Sequence, residues 1–107
     1  MKRTFIALPT FWQDWTSFGL SEEDLRNLEL HLLENPQAGD LVVGSGGIRK
    51  VRWSRPGMGK RGGVRVFYFD FTKKSRLYFF AVIGKSEREN LTKREVNILA
   101  NMIKSFS

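Results

Sequence analysis

Two runs constrain this chain more than any other feature: VRVFYFDF at residues 64–71 and LYFFAVI at residues 77–83. Both are rich in β-branched and aromatic residues, and TKKSR between them is the size of a hairpin loop. Neither run alternates apolar with polar. Strands that are apolar on both faces sit in the middle of a sheet covered on two sides. The rest of the chain must therefore supply one apolar layer above the sheet and one below. With 107 residues, 41% of them hydrophobic and fourteen of them Phe, Trp or Tyr, it has the material for one domain with a real core. Disorder is excluded on the same grounds.

The covering layers can be read from periodicity and caps. Thr4 to Leu8 reads as a short strand ended by Pro9. Thr10 with Gln13 forms a capping-box pattern, and Phe11, Trp12, Trp15 and Phe18 lie on one helical stripe. That stripe marks the two tryptophans at its centre as core rather than as stacking platforms. Gly19 ends this helix. Ser21 with Asp24 caps the next, where Glu22, Glu23 and Asp24 favour the positive end of the helix dipole. Leu25, Leu28 and Leu32 give it a core face, and Asn35-Pro36 stops it. His31 on this helix reads as a surface or half-buried residue. Gly39 to Gly47 is turn-rich around a short apolar run, Leu41 to Val43. Another strand follows at Ile48–Trp53, ahead of the two long runs. Thr92 with Glu95 caps a C-terminal helix whose stripe is Val96, Leu99, Ala100 and Ile103. The expected order is β-α-α-β-β-β-α. That is an α+β fold: a small, antiparallel-rich sheet with two N-terminal helices and one C-terminal helix.

Charge locates the surface that meets a partner. Residues 1–40 carry three basic and seven acidic side chains, whereas residues 41–107 carry fifteen basic and four acidic ones. Arg49 to Arg65, RKVRWSRPGMGKRGGVR, holds seven Lys or Arg, four glycines, a proline and no acid. Many cations on a bend between two strands suit a polyanion, with RNA or DNA first. Other chemistries are excluded. There is no cysteine for a disulfide framework or thiolate metal site, and one histidine cannot build a His-based metal centre. The glycine-rich GMGKRGG is no phosphate-binding P-loop, because no Ser or Thr follows Lys60 and no helix opens after it. Asp14 and its polar neighbours interrupt any leader-like apolar run, no segment is long enough to span a bilayer, and the absence of cysteine fits a reducing cytoplasm.

Strand parity sharpens the candidate site. Val51 and Trp53 share one face of their strand, Lys50 and Arg52 the other. Arg65 lies on the face of Phe67, Phe69 and Phe71. A charge opening an apolar strand face needs a reason. The structural one is a strand-end arginine paired to Asp70 or Glu87. The functional one is that Lys50, Arg52 and Arg65 project from neighbouring strands onto one patch. Lys60 and Arg61 would join them from the loop, and Lys85 and Glu87 from just beyond the last strand.

GGIRKVRW, GKRGGVRVFYF and LYFFAVIGKSERENLT, in that order before a final helix, resemble the RelE/ParE superfamily of type II toxins, and within it the HigB-like RelE branch. The resemblance runs over most of the chain and implies a single RelE-like toxin domain over 1–107. It implies a metal-independent, cofactor-free endoribonuclease that cleaves mRNA in the ribosomal A site. A cognate antitoxin of helix-turn-helix, HigA-like kind would neutralise it. Lys50 and Arg52 match the paired basic strand residues of such toxins. Arg65 matches their phosphate-contacting arginine, and Lys85 the basic residue after the final strand. Arg49, Arg55 and Arg61 are expected to contact RNA. The pattern departs at Ser86, where RelE carries a second basic residue, and near Thr92, where RelE has a catalytic tyrosine. Glu87, Tyr68 or a lysine would take over part of that role.

The implied reaction is attack of a ribose 2′-hydroxyl on the adjacent phosphate. Arg52 and Arg65 suit the developing charge, since a guanidinium stays protonated and grips two phosphate oxygens. A lysine crowded by other cations gives up a proton more readily, so Lys50, Lys60 and Lys85 are candidates for proton transfer, with Glu87 the alternative base. Two other readings share the charge pattern. A ParE-like inhibitor of DNA gyrase would cause DNA damage rather than translation arrest. A non-catalytic nucleic-acid-binding module would bind with a steep salt dependence and cleave nothing.

Overall fold

The two apolar runs pair with each other at the centre of a five-stranded sheet. In the computed structural model, which describes residues 2–54, 63–85 and 87–106, the strands are β1 (Thr4–Ala7), β2 (Asp40–Leu41), β3 (Arg49–Trp53), β4 (Val64–Phe71) and β5 (Arg76–Gly84). Their spatial order is β1-β5-β4-β3-β2. β1 runs parallel to β5, and every other pairing is antiparallel. Three helices cover the sheet: α1 (Pro9–Ser17), α2 (Glu22–Glu34) and α3 (Lys93–Lys104).

The expected two-sided burial of the central strands holds. On one face Val64, Val66 and Tyr68 of β4, with Leu77, Phe79 and Val82 of β5, pack with Phe11 and Trp15 of α1 and Leu28 and Leu32 of α2. On the other, Phe67, Phe80 and Ile83 pack with Val96, Leu99 and Ile103 of α3. Phe106, just past α3, stacks on Tyr78 with ring centroids 4.5 Å apart. Consecutive residues of one strand thus enter opposite cores. One irregularity interrupts this alternation. Phe67 faces Ala81 and Tyr68 faces Phe79, so Phe80 is the extra residue of a bulge in β5. Phe80 and Ala81 consequently both join the α3 side.

Both later caps form as read. Ser21 Oγ accepts from the Asp24 backbone N–H at 3.1 Å, and Asp24 accepts in return from the Ser21 N–H at 2.8 Å. Thr92 and Glu95 do the same at α3. The Thr10–Gln13 box does not form. Pro9 is the first residue of α1, with extended Leu8 as N-cap and no side-chain cap. Proline's fixed φ and missing N–H suit that first helical position, so Pro9 starts the helix as well as following the strand. The other correction is β2, a two-residue edge strand that the expected order omits. Asp40 and Leu41 pair with Lys50 and Arg49 and are both exposed. Gly39 enables that pairing. It has φ +82, and a Cβ there would come within 2.1 Å of the Lys50 carbonyl oxygen.

Candidate active site

The end of the sheet where β3 stops and β4 begins gathers the cations. Arg52 and Arg65 stand directly opposite each other across the β3–β4 ladder. Like charges at facing positions destabilise a sheet, so this pairing is a cost of the fold that an anion would relieve. Arg65 also faces Ile83 of β5. One step beyond that strand, the Lys85 N–H donates to the Gly63 carbonyl at 3.2 Å and extends the ladder. By period-two alternation Arg52, Arg65 and Lys85 share the α3 face. They line a cleft of about 510 Å³ at this end of the sheet together with Ser54 and Gly63, and with Trp53 and Val64 from the α1–α2 face. Arg52 and Lys85 are exposed, whereas Arg65 is 4% exposed.

Burial fixes Arg65 in place. The Arg65 Nη2 lies 3.4 Å from Glu89 Oε1, and the two side chains are 5% and 72% exposed. The acid beside Arg65 is therefore neither Asp70 nor Glu87. Asp70 is held by Arg3 through two hydrogen bonds of 2.6 and 3.1 Å at the opposite end of β4. Glu87 turns away: a Cβ on Gly84 would lie 3.1 Å from Glu87 Oε1 and 2.8 Å from Phe18 Cε1. That puts its carboxylate near α1's end of the molecule, outside the cleft lining.

Lys50 shares the face but leads into a neighbouring groove. Its ammonium donates to Asn90 Oδ1 at 2.6 Å. The groove, about 590 Å³, runs between the β2 region and the start of α3, past Leu41, Asn90, Leu91, Lys93 and Asn97. Arg49 does not join the cluster. It alternates onto the α1–α2 face, where its Nη1 donates to the Gln37 and Gly39 carbonyls at 3.1 and 3.2 Å. Lys60, Arg55 and Arg61 lie outside the described residues, as does Ser86.

Tyr68 cannot stand in for a catalytic tyrosine. It is fully buried in the core under α1 and α2, on the face away from the cleft. Its hydroxyl donates to the Ala38 and Pro36 carbonyls at 2.7 and 3.2 Å, and burial pushes the phenol up to about 12. His31 is half-buried on α2, as read, with its ring centroid 5.5 Å from that of Trp53. Among the described residues no group of three or more His, Asp or Glu side chains converges on a point where a metal ion could sit. None of the described helices is long and apolar enough to cross a membrane.

The pairings made by three polar residues of the β5–α3 connection escaped the sequence reading. Glu89 and Asn90 meet Arg65 and Lys50, and Arg88 forms a two-pronged pair with Glu95, its Nη2 2.9 Å from Oε2. The available signal was topological. A connection from the end of β5 to a helix on the same face must pass the exposed ends of the cationic strands.

A mixed sheet carrying paired arginines at one end, under a C-terminal helix, defines a small basic α+β protein whose open cleft suits an anion. The chain belongs to the RelE toxin family: the model for the RelE toxin of the RelE/RelB toxin-antitoxin system matches residues 19–107. The fold agrees. A structure of an Escherichia coli toxin RelE double mutant in the free state superposes with a TM-score of 0.59 at 19% identity, covering 96% of this chain and 98% of that one. Membership makes the chain a toxin of a toxin-antitoxin system, with a cognate antitoxin as its partner.

Proposed function

We propose that this toxin is a ribosome-dependent endoribonuclease that cuts mRNA in the A site and so arrests translation. The observation that carries the reading is the facing pair Arg52–Arg65, with Lys85 on the same cleft. Two guanidiniums on adjacent strands can hold the non-bridging oxygens of one phosphodiester, and they gain most where charge builds up. The 2′-hydroxyl loses its proton and attacks the adjacent phosphorus. The 5′-oxygen of the next nucleotide leaves and takes up a proton. The products are a 2′,3′-cyclic phosphate and a 5′-hydroxyl.

Lys85 is the proton carrier best supported by geometry, since it lines the cleft with both arginines, whereas Lys50 lines the neighbouring groove. No step in this scheme calls on a metal ion. A site so short of strong bases depends on its substrate being held in line, which the ribosome supplies. Placement in the HigB-like branch, a HigA-like helix-turn-helix antitoxin and action in the cytoplasm belong to the same proposal.

The test is primer extension on a defined mRNA, with programmed ribosomes in one set and naked RNA in the other. Cuts within A-site codons that require ribosomes and vanish in Arg65→Ala are the expected result. Intact mRNA in both sets, from folded protein, overturns the reading.

A further inference from the structure

Arg65 is a buried cation with an exposed counter-ion. A guanidinium that is 5% exposed needs an anion close by, because an unpaired charge in that setting is costly. Glu89 supplies one, but at 3.4 Å and from a side chain that is 72% exposed. A long contact to a solvated carboxylate is weak and exchangeable. The next residue, Asn90, accepts from Lys50 at 2.6 Å. Arg88 pairs with Glu95 near the start of α3. One connection thus contacts two of the strand cations, Lys50 and Arg65, and is tied to the helix that follows.

We propose that Glu89 is an internal occupant of the phosphate position on Arg65, so that the free toxin is partly self-blocked and RNA must displace this carboxylate to bind. The inference rests on Arg65 being the phosphate contact of the proposed function. It adds a device that holds down the affinity of the unengaged protein for stray polyanions. Loss of the Glu89 charge then tightens binding, the reverse of what removing a structural ion pair would do to a binding site.

The experiment uses the full chain and a non-cleavable probe, a uniformly 2′-O-methylated RNA hexamer of mixed sequence. Affinity is measured by fluorescence anisotropy, and the Arg65 Hε resonance is followed by NMR. Glu89→Gln is expected to bind about two- to fivefold tighter than the unmodified protein, the fold-change corresponding to a surface ion pair. Glu34→Gln, the same charge change at the exposed end of α2, is the control and should leave affinity near the starting value. The Arg65 resonance should move on Glu89→Gln alone, and again on adding the hexamer. Equal or weaker binding by Glu89→Gln, or an equal gain in Glu34→Gln, overturns the proposal. So does an Arg65 resonance indifferent to the hexamer. Because the probe is never cut, a failure of ribosome-dependent cleavage would sink the proposed reaction and leave this result standing.

Discussion

The two faces of β4 are built from alternating residues of one strand, yet they serve opposite ends. Val64, Val66 and Tyr68 face α1 and α2 and disappear into a core where the Tyr68 hydroxyl is employed by backbone carbonyls. Arg65 and Phe67 face α3, where the apolar core stops short and a charged cleft begins. The first face is covered by α1 and α2 except where Trp53 and Val64 reach the cleft. The second is closed by α3 at one end and left to a polar connection at the other. A sheet of this kind can hold its shape with one side and spend the end of the other on repulsive charge. The faces should therefore separate under mutation: one governs stability, the other activity.

The largest effect expected on the closed face is from Phe79→Ala. Phe79 is fully buried and stacks on Phe11 at 5.1 Å between centroids and on Phe5 at 5.9 Å. Deleting such a ring costs about 3–5 kcal/mol, which urea or thermal unfolding would read directly. A loss below about 1 kcal/mol would mean that this core is not the one holding the sheet. On the open face, Arg65→Ala should lower ribosome-dependent cleavage by at least about a hundredfold, or about 2.7 kcal/mol in the barrier. The fold should survive, because the substitution also removes the repulsion from Arg52. If Arg65→Ala instead unfolds the protein, the division between faces is wrong and Arg65 is a structural arginine.

How much of this was legible in the sequence follows from which forces are local. Caps and stripes are local, so α2 and α3 could be read from Ser21, Thr92 and their periodic apolar residues, and β4 and β5 from their β-branched and aromatic runs. Parity is local too, and it put Lys50, Arg52 and Arg65 on one face. β2 was not legible, because Asp40 and Leu41 are strand residues by virtue of their partners Lys50 and Arg49. The start of α1 was misread because Thr10 and Pro9 offered rival signals, and the backbone constraint of proline prevailed. Within the site, parity already set Arg49 beside Val51 and against Lys50, yet its charge drew it into the expected RNA surface. The partners of Arg65 and Lys50 lie 24 and 40 residues along the chain. No periodicity reaches that far.

Tyr68→Phe probes the closed face more finely. It removes the donor shared by the Ala38 and Pro36 carbonyls, at a cost of about 1–2 kcal/mol, with cleavage per folded molecule unchanged. An alkaline limb should disappear with it. The phenol is raised from 10.0 to about 12 in the folded chain by burial. Its contribution is complete below pH 10 and lost as the pH climbs toward about 12, since the unfolded chain ionises first. Urea midpoints for the two proteins should thus converge over that interval. Parallel curves would show that the hydroxyl is not held as described.

The smallest effect belongs to the connection between the faces' two regimes. Arg88 holds the Glu95 carboxylate down to about 2, helped by the Thr92 backbone and hydroxyl, against 4.5 for an unperturbed glutamate. A depressed acid stabilises the fold above its unfolded value and loses that contribution as the pH falls toward the folded one. The window is therefore about pH 4.5 down to about 2. Both side chains are roughly 40% exposed, at 41% and 39%, so solvent screening keeps the pair to well under about 1 kcal/mol. Glu95→Gln retains an acceptor for the Thr92 N–H and removes the charge. The variant should unfold slightly more easily than the parent at pH 7, with the gap closing as the pH falls from about 4.5 through about 2 and shrinking in high salt. A gap that survives below about pH 2 would assign Glu95's worth to the helix cap alone. The connection carrying Glu89 and Asn90 would then be tethered at α3 by something other than its ion pair.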